Sequence, residues 1–130
     1  MPRFKLNKLV RDRIVEHQLK AGEKPRYRQL SKIEHREALI NKIIEEIKEL
    51  VDASAEDVAA EIADVQQALD DLIEQFNVDP KTVRIHQARK TKENGAFKKG
   101  IYVEYVDLDE KDPFTKYYRK DPERFPELND

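Results

Sequence analysis

Between residues 31 and 76, apolar positions recur at the three-and-four spacing of helices that keep one face dry. Ile33, Leu39, Ile40, Ile43, Ile44, Ile47, Leu50 and Val51 form one stripe, and Val58, Ile62, Val65, Leu69, Leu72, Ile73 and Phe76 form a second. Ser31 with Glu34 makes a capping box that starts a helix running to about Ala53, and Ser54 with Asp57 repeats that logic for a helix to Phe76. A sparser stripe of Leu9, Val10, Ile14 and Leu19 predicts a first helix over Lys8–Ala21, stopped by Gly22. Asp79-Pro80 reads as an N-cap with proline at the first helical position, opening a fourth helix to Glu93 that Asn94-Gly95 ends. Ile101–Val106 (IYVEYV) alternates and is rich in β-branched and aromatic residues, as a short C-terminal strand would be. The expected fold is an all-α helical bundle built on an antiparallel hairpin of the second and third helices. Residues 1–106 form the domain. Residues 107–130 form a polar tail or arm anchored only by Phe114, Tyr117, Tyr118 and Phe125. Phe76 is expected in the core, and Phe97 and Tyr102 are expected to pack.

The chain has 130 residues, one ordinary domain, and 40% of them are charged. The apolar arcs of the second and third helices are broad while the first and fourth helices are short. A homodimer or homotetramer is therefore expected to complete a four-helix core. The chain has no Cys, which excludes disulfides, thiolate metal sites and a Cys nucleophile, and suits the reducing cytosol; a cytoplasmic location is expected. No apolar run approaches a membrane span, and no apolar stretch follows the basic start, so neither a membrane partner nor a secretory signal is expected. Only three glycines occur, too few and too scattered for a phosphate-cradling glycine loop. His17, His35 and His86 have no metal-ligand spacing.

The net charge of −2 hides a segregation. Residues 1–30 hold nine Lys/Arg against three Asp/Glu, residues 31–79 four against fourteen, residues 80–100 seven against one, and residues 101–130 five against nine. The acidic block contains Glu45, Glu46 and Glu49 on one helix and Glu61 and Asp64 on the next. Residues three apart are neighbours on a helix surface. A short loop near position 55 forces the two helices antiparallel, so Glu46 should face Asp64, and Glu49 should face Glu61. All four are expected at the margin of the apolar arcs. A Glu-rich run alone is commonly a solvated face; the two pairs in register are the specific feature. Like charges gathered there repel unless a cation intervenes. An all-carboxylate donor set favours Mg²⁺, with Mn²⁺ as the alternative, over Zn²⁺.

Glu45-Glu46-x-x-Glu49 followed by Glu61-x-x-Asp64 resembles the E-E-x-x-E…E-x-x-D signature of the MazG-like, all-α nucleoside triphosphate pyrophosphohydrolases. NKLVRDRI (Asn7–Ile14) and ARKTKENGAFKKGIYVEYV (Ala88–Val106) resemble the opening and close of the phosphoribosyl-ATP pyrophosphohydrolase-like subgroup. The resemblance implies Mg²⁺ held by Glu46, Glu49, Glu61 and Asp64, and Glu45 either supporting them or orienting water, with Glu45 and Glu46 the catalytic pair. It implies hydrolysis of a nucleotide between its α- and β-phosphates, giving a monophosphate and pyrophosphate, in nucleotide-pool cleansing. The alternatives are a phosphoribosyl-ATP pyrophosphohydrolase and a non-catalytic helical interaction module. A nucleotide's outer phosphates need cations, and the basic blocks offer Lys8 and Arg11 first, then Arg89, Lys92 and Lys98, with Lys42 one turn before the acidic pair. The alternative role for Arg11 is a structural ion pair with Asp12. Nucleic acid is not an expected partner, because the acidic block between the basic ones would repel a phosphate backbone.

Overall fold

The computed structural model describes residues 1–129, and these contain five helices. They are α1 (Ile14–Lys20), α2 (Lys32–Asp52), α3 (Val58–Gln75), α4 (Pro80–Asn94) and α5 (Pro113–Arg119). The all-α class expected from the sequence holds. The chain divides into two compact units, Met1–Glu93 and Asn94–Asp130. Among the described residues no helix is long and apolar enough to cross a membrane.

In the first unit α2 and α3 pack on each other, and they are the only helices that do so among the described residues. Their connection, residues 53–57, is short enough to force the antiparallel hairpin. Arg36, near the start of α2, donates to the Gln75 carbonyl at the end of α3 (3.0 Å) and lies 4.7 Å over the Phe76 ring. Those contacts hold the open end of the hairpin. Asn77 at φ +55° closes α3, with its N–H bonded to the Glu74 carbonyl and that of Val78 to Ile73. Phe76 is therefore a lid on the helix end and remains half exposed, not a core residue.

The capping box at the start of α2 forms as the sequence predicts: the Ser31 hydroxyl accepts from the Glu34 N–H, and the Glu34 carboxylate accepts from the Ser31 N–H (both 3.3 Å). Arg28 adds a two-pronged bond to the same carboxylate at 2.7 and 3.3 Å. The Arg28 guanidinium, with the Ser31 groups behind it, pulls the Glu34 carboxyl from 4.5 down to about 2. A depressed folded pKa means that Glu34 contributes stability in full above the unfolded value and loses it as pH falls towards 2. Glu34→Gln is accordingly expected to melt below the native protein at pH 7, with the gap closing between pH 4.5 and 2 in a pH series of thermal melts. A gap that persists at the acid end would assign the loss to the capping geometry alone.

Three expected elements differ. α1 begins at Ile14, not Lys8, because residues 8–13 are held by long-range ion pairs described below and do not enter the helix. The second cap shifts by one turn: Asp57, not Ser54, precedes α3, and the Ser54 hydroxyl bonds the Asp57 carboxylate (3.0 Å). Ile101–Val106 forms neither strand nor helix, and Phe97 and Tyr102 are almost fully exposed. A single strand has no ladder without a partner.

The second unit has its own organisation. Asp112 caps α5 through the Phe114 N–H (2.8 Å), with Pro113 at its first position. Arg119 forks onto both oxygens of Glu110 (2.8 and 2.9 Å) and bonds Glu127 through Nε (2.6 Å). Phe114, Tyr117, Tyr118 and Phe125 cluster with ring centroids 4.8 to 6.1 Å apart. These four were the anchors expected of residues 107–130.

Candidate metal centre

The seam between α2 and α3 is not where the apolar stripes alone would centre it. On α2 the buried positions are Leu39 and Glu46, with Ile43 and Leu50 half-buried; on α3 they are Ala68, with Glu61, Val65 and Leu72 half-buried. The seam therefore runs along the carboxylate side of each helix. Ile40, Ile44, Ile47 and Val51 of α2 and Ile62 and Leu69 of α3 fall beside it and remain exposed. Glu46, expected at the margin, lies inside the seam with 6% of its surface exposed.

Carboxylate oxygens of Glu46, Glu61 and Asp64 come within 4.8 Å of one another, and so do those of Glu45, Glu46 and Glu49. Glu46 belongs to both groups. The expected facing of Glu46 and Asp64 is thus present. Glu49 is exposed and reaches the others from the solvent side. Oε2 of Glu46 and Oε2 of Glu61 are buried without a hydrogen-bond partner. Such atoms are costly, because a desolvated carboxylate oxygen loses its water and gains nothing in return. Burial, and then the charges of Glu49, Asp64 and Glu46, push the Glu61 carboxyl above its ordinary range.

Three cations approach the cluster. Lys42 Nζ, mostly buried, sits 3.1 Å from Glu46 Oε1 and 3.3 Å from Glu45 Oε1. Burial works against its charge, yet the bonds to Glu46 and Glu45 outweigh that and raise its pKa. Arg11 donates to Asp64 Oδ1 at 2.6 Å, and Lys8 approaches Glu45 at 3.9 Å. Arg11 therefore pairs with Asp64 and not with the adjacent Asp12. The five carboxylates and three cations leave a formal charge of −2, which one divalent cation matches. The donor set is hard oxygen throughout, and the orphaned oxygens of Glu46 and Glu61 are the kind of atom that such a cation satisfies.

The structure thus gathers Glu45, Glu46, Glu49, Glu61 and Asp64 with Lys8, Arg11 and Lys42. Arg89 and Lys92 lie on α4, which packs on no other helix among the described residues, and Arg89 bonds His86 (2.8 Å). Lys98 belongs to the second unit. The pairing of Lys42 with Glu45 and Glu46 was legible from its spacing, three and four residues upstream on one helix. The Arg11–Asp64 bond joins residues 53 positions apart and has no local signature. No family model, curated protein or solved structure matches the chain.

Proposed function

We propose that the first unit is a divalent-cation-dependent nucleotide pyrophosphohydrolase of the MazG-like kind, acting at the α–β phosphate bond. The observation that carries the reading is the pair of buried, partnerless oxygens of Glu46 and Glu61 within a cluster that also includes Asp64. Glu46, Glu49, Glu61 and Asp64 would hold Mg²⁺, or Mn²⁺ in its place. Bound there, the cation would supply charge to neutralise phosphate oxygens and to lower the pKa of a water. Glu45 is half-buried, with Lys42 at 3.3 Å and Lys8 at 3.9 Å on its Oε1, and would orient that water and take its proton through its other oxygen. The water oxygen bonds to the α-phosphorus, the bridging bond to the β-phosphate breaks, and pyrophosphate leaves with the electron pair. Lys8 and Arg11, both partly exposed beside the cluster, would meet the outer phosphates of a nucleotide. Arg89, Lys92 and Lys98 are a second set of candidate phosphate contacts.

The apolar stripe left exposed beside the seam supports a second copy of the chain as its cover, giving a homodimer or homotetramer. A cytoplasmic setting fits a substrate from the nucleotide pool.

The test is release of pyrophosphate from a panel of nucleoside and deoxynucleoside triphosphates and phosphoribosyl-ATP, with Mg²⁺ and with chelator. Turnover of one or more members with Mg²⁺, lost with chelator, is expected. Preference for phosphoribosyl-ATP would assign the biosynthetic reaction. No turnover on any member would leave a helical interaction module as the reading.

A further inference from the structure

Arg11 and Lys42 both neutralise the carboxylate cluster, but they are held in different ways. Lys42 is on α2, is four-fifths buried, and bonds two carboxylates of its own helix. It is a fixed counter-ion. Arg11 is 59% exposed, belongs to no helix, and makes one side-chain bond, to Asp64 Oδ1. Its backbone is anchored only by its carbonyl, which accepts from the Ile14 N–H (3.1 Å) in the turn that starts α1. Upstream, Asn7 takes the left-handed conformation (φ +43°), which asparagine tolerates better than most residues. The strap from Asn7 to Arg11 is thus pinned to the cluster by two side chains, Lys8 on Glu45 and Arg11 on Asp64, both reversible in water.

We infer that Arg11 is an exchangeable counter-ion: it occupies Asp64 until a divalent cation takes that carboxylate, and then turns its guanidinium to the phosphates of the anionic substrate. This rests on the metal-site reading above and adds an order of events to it. The buried, partnerless oxygens of Glu46 and Glu61 offer the cation donors that Arg11 does not bond, so the cation has a foothold before the exchange. Once the cation draws on the charge of Asp64, the carboxylate holds the guanidinium less strongly. A planar, permanently charged fork freed beside a phosphate-binding surface suits bidentate contact with phosphate oxygens. Arg11 therefore opposes the cation and favours the anion, and by linkage cation and anion help each other bind.

The experiment measures, on the full chain, calorimetric affinity for Mn²⁺ alone and for inorganic pyrophosphate in excess Mg²⁺. Arg11→Gln is expected to bind Mn²⁺ about fivefold more tightly and pyrophosphate about tenfold more weakly. Arg11→Lys, which keeps the charge but not the fork, should leave Mn²⁺ affinity near native and still weaken pyrophosphate binding. A purely structural role for Arg11 would weaken both affinities, and a mere counter-ion would leave pyrophosphate binding unchanged; either result overturns the exchange while the metal site stands. Absence of Mn²⁺ binding by the native chain overturns the metal site and the exchange together.

Discussion

Glu46→Gln is expected to abolish Mg²⁺-dependent pyrophosphate release, a fall of about 10²–10³-fold, without lowering the melting temperature of the cation-free protein. The two effects have one cause. Glu46 is 6% exposed and shared by both carboxylate groups, so no neighbour substitutes for it as a cation donor. Its Oε1 accepts from Lys42; an amide oxygen still accepts there, more weakly, while Lys42 keeps its bond to the charged Glu45. Its Oε2 has no partner, and an amide nitrogen at that place donates towards Glu61 or Asp64, whose oxygens lie within 4.8 Å. The substitution thus removes a buried charge and gives an orphaned oxygen a donor, the direction that stabilises a desolvated site.

The pH dependence follows the same cause. The folded pKa of Glu61 is raised, by burial first and then by Glu49, Asp64 and Glu46. Its contribution to stability is full below the unfolded carboxylate pKa and is lost as pH rises through the folded one. The cation-free native protein therefore loses stability over that rise, and Glu46→Gln should flatten the loss. Added Mg²⁺ should raise the native melting temperature and leave that of the variant unmoved. Melts at several pH values with and without Mg²⁺, beside the turnover assay, read all of this. Retained Mg²⁺-dependent turnover in the variant would remove Glu46 from the site.

Much of the hairpin was legible because its signals are local. The Ser31–Glu34 box and the two stripes are such signals, as is the Asp79-Pro80 start of α4, and the short loop between α2 and α3 sets the register that brings Glu46 to Asp64. The Asp112-Pro113 start of α5 carries the same signature as Asp79-Pro80, but seven residues offer too little periodicity to reveal a helix. Residues 8–13 were misread for the opposite reason. Leu9 and Val10 continue the pattern of α1, while Arg11 and Lys8 are drawn to carboxylates on other helices, a tertiary pull with no sequence signature. The burial of Glu46 was hidden as well. Periodicity gives the direction of an apolar arc, and the arcs of α2 and α3 are wider than one helix–helix seam can cover, so periodicity alone does not say which edge is used.

That unused edge sets the second large effect. Ile44→Glu combined with Ile47→Lys is expected to convert an associated native protein into a monomer and to lower its melting temperature sharply. Within the hairpin only Leu39 and Ala68 are buried apolar residues, too little core for a hairpin to stand alone. Ile44 and Ile47 remain 48% and 45% exposed, with Ile40, Val51, Ile62 and Leu69 on the same side of the seam. Burying what each isoleucine still exposes contributes roughly 1–2 kcal/mol, and a two-fold pairing counts each residue twice. A glutamate and a lysine at those two positions forfeit that gain and place charges where the second copy would sit, while the net charge of the chain is unchanged. Sedimentation at micromolar concentration should show the native chain at twice or four times 15.4 kDa and the double variant at one. A native monomer that melts cooperatively at ordinary temperature would show that the stripe needs no second copy.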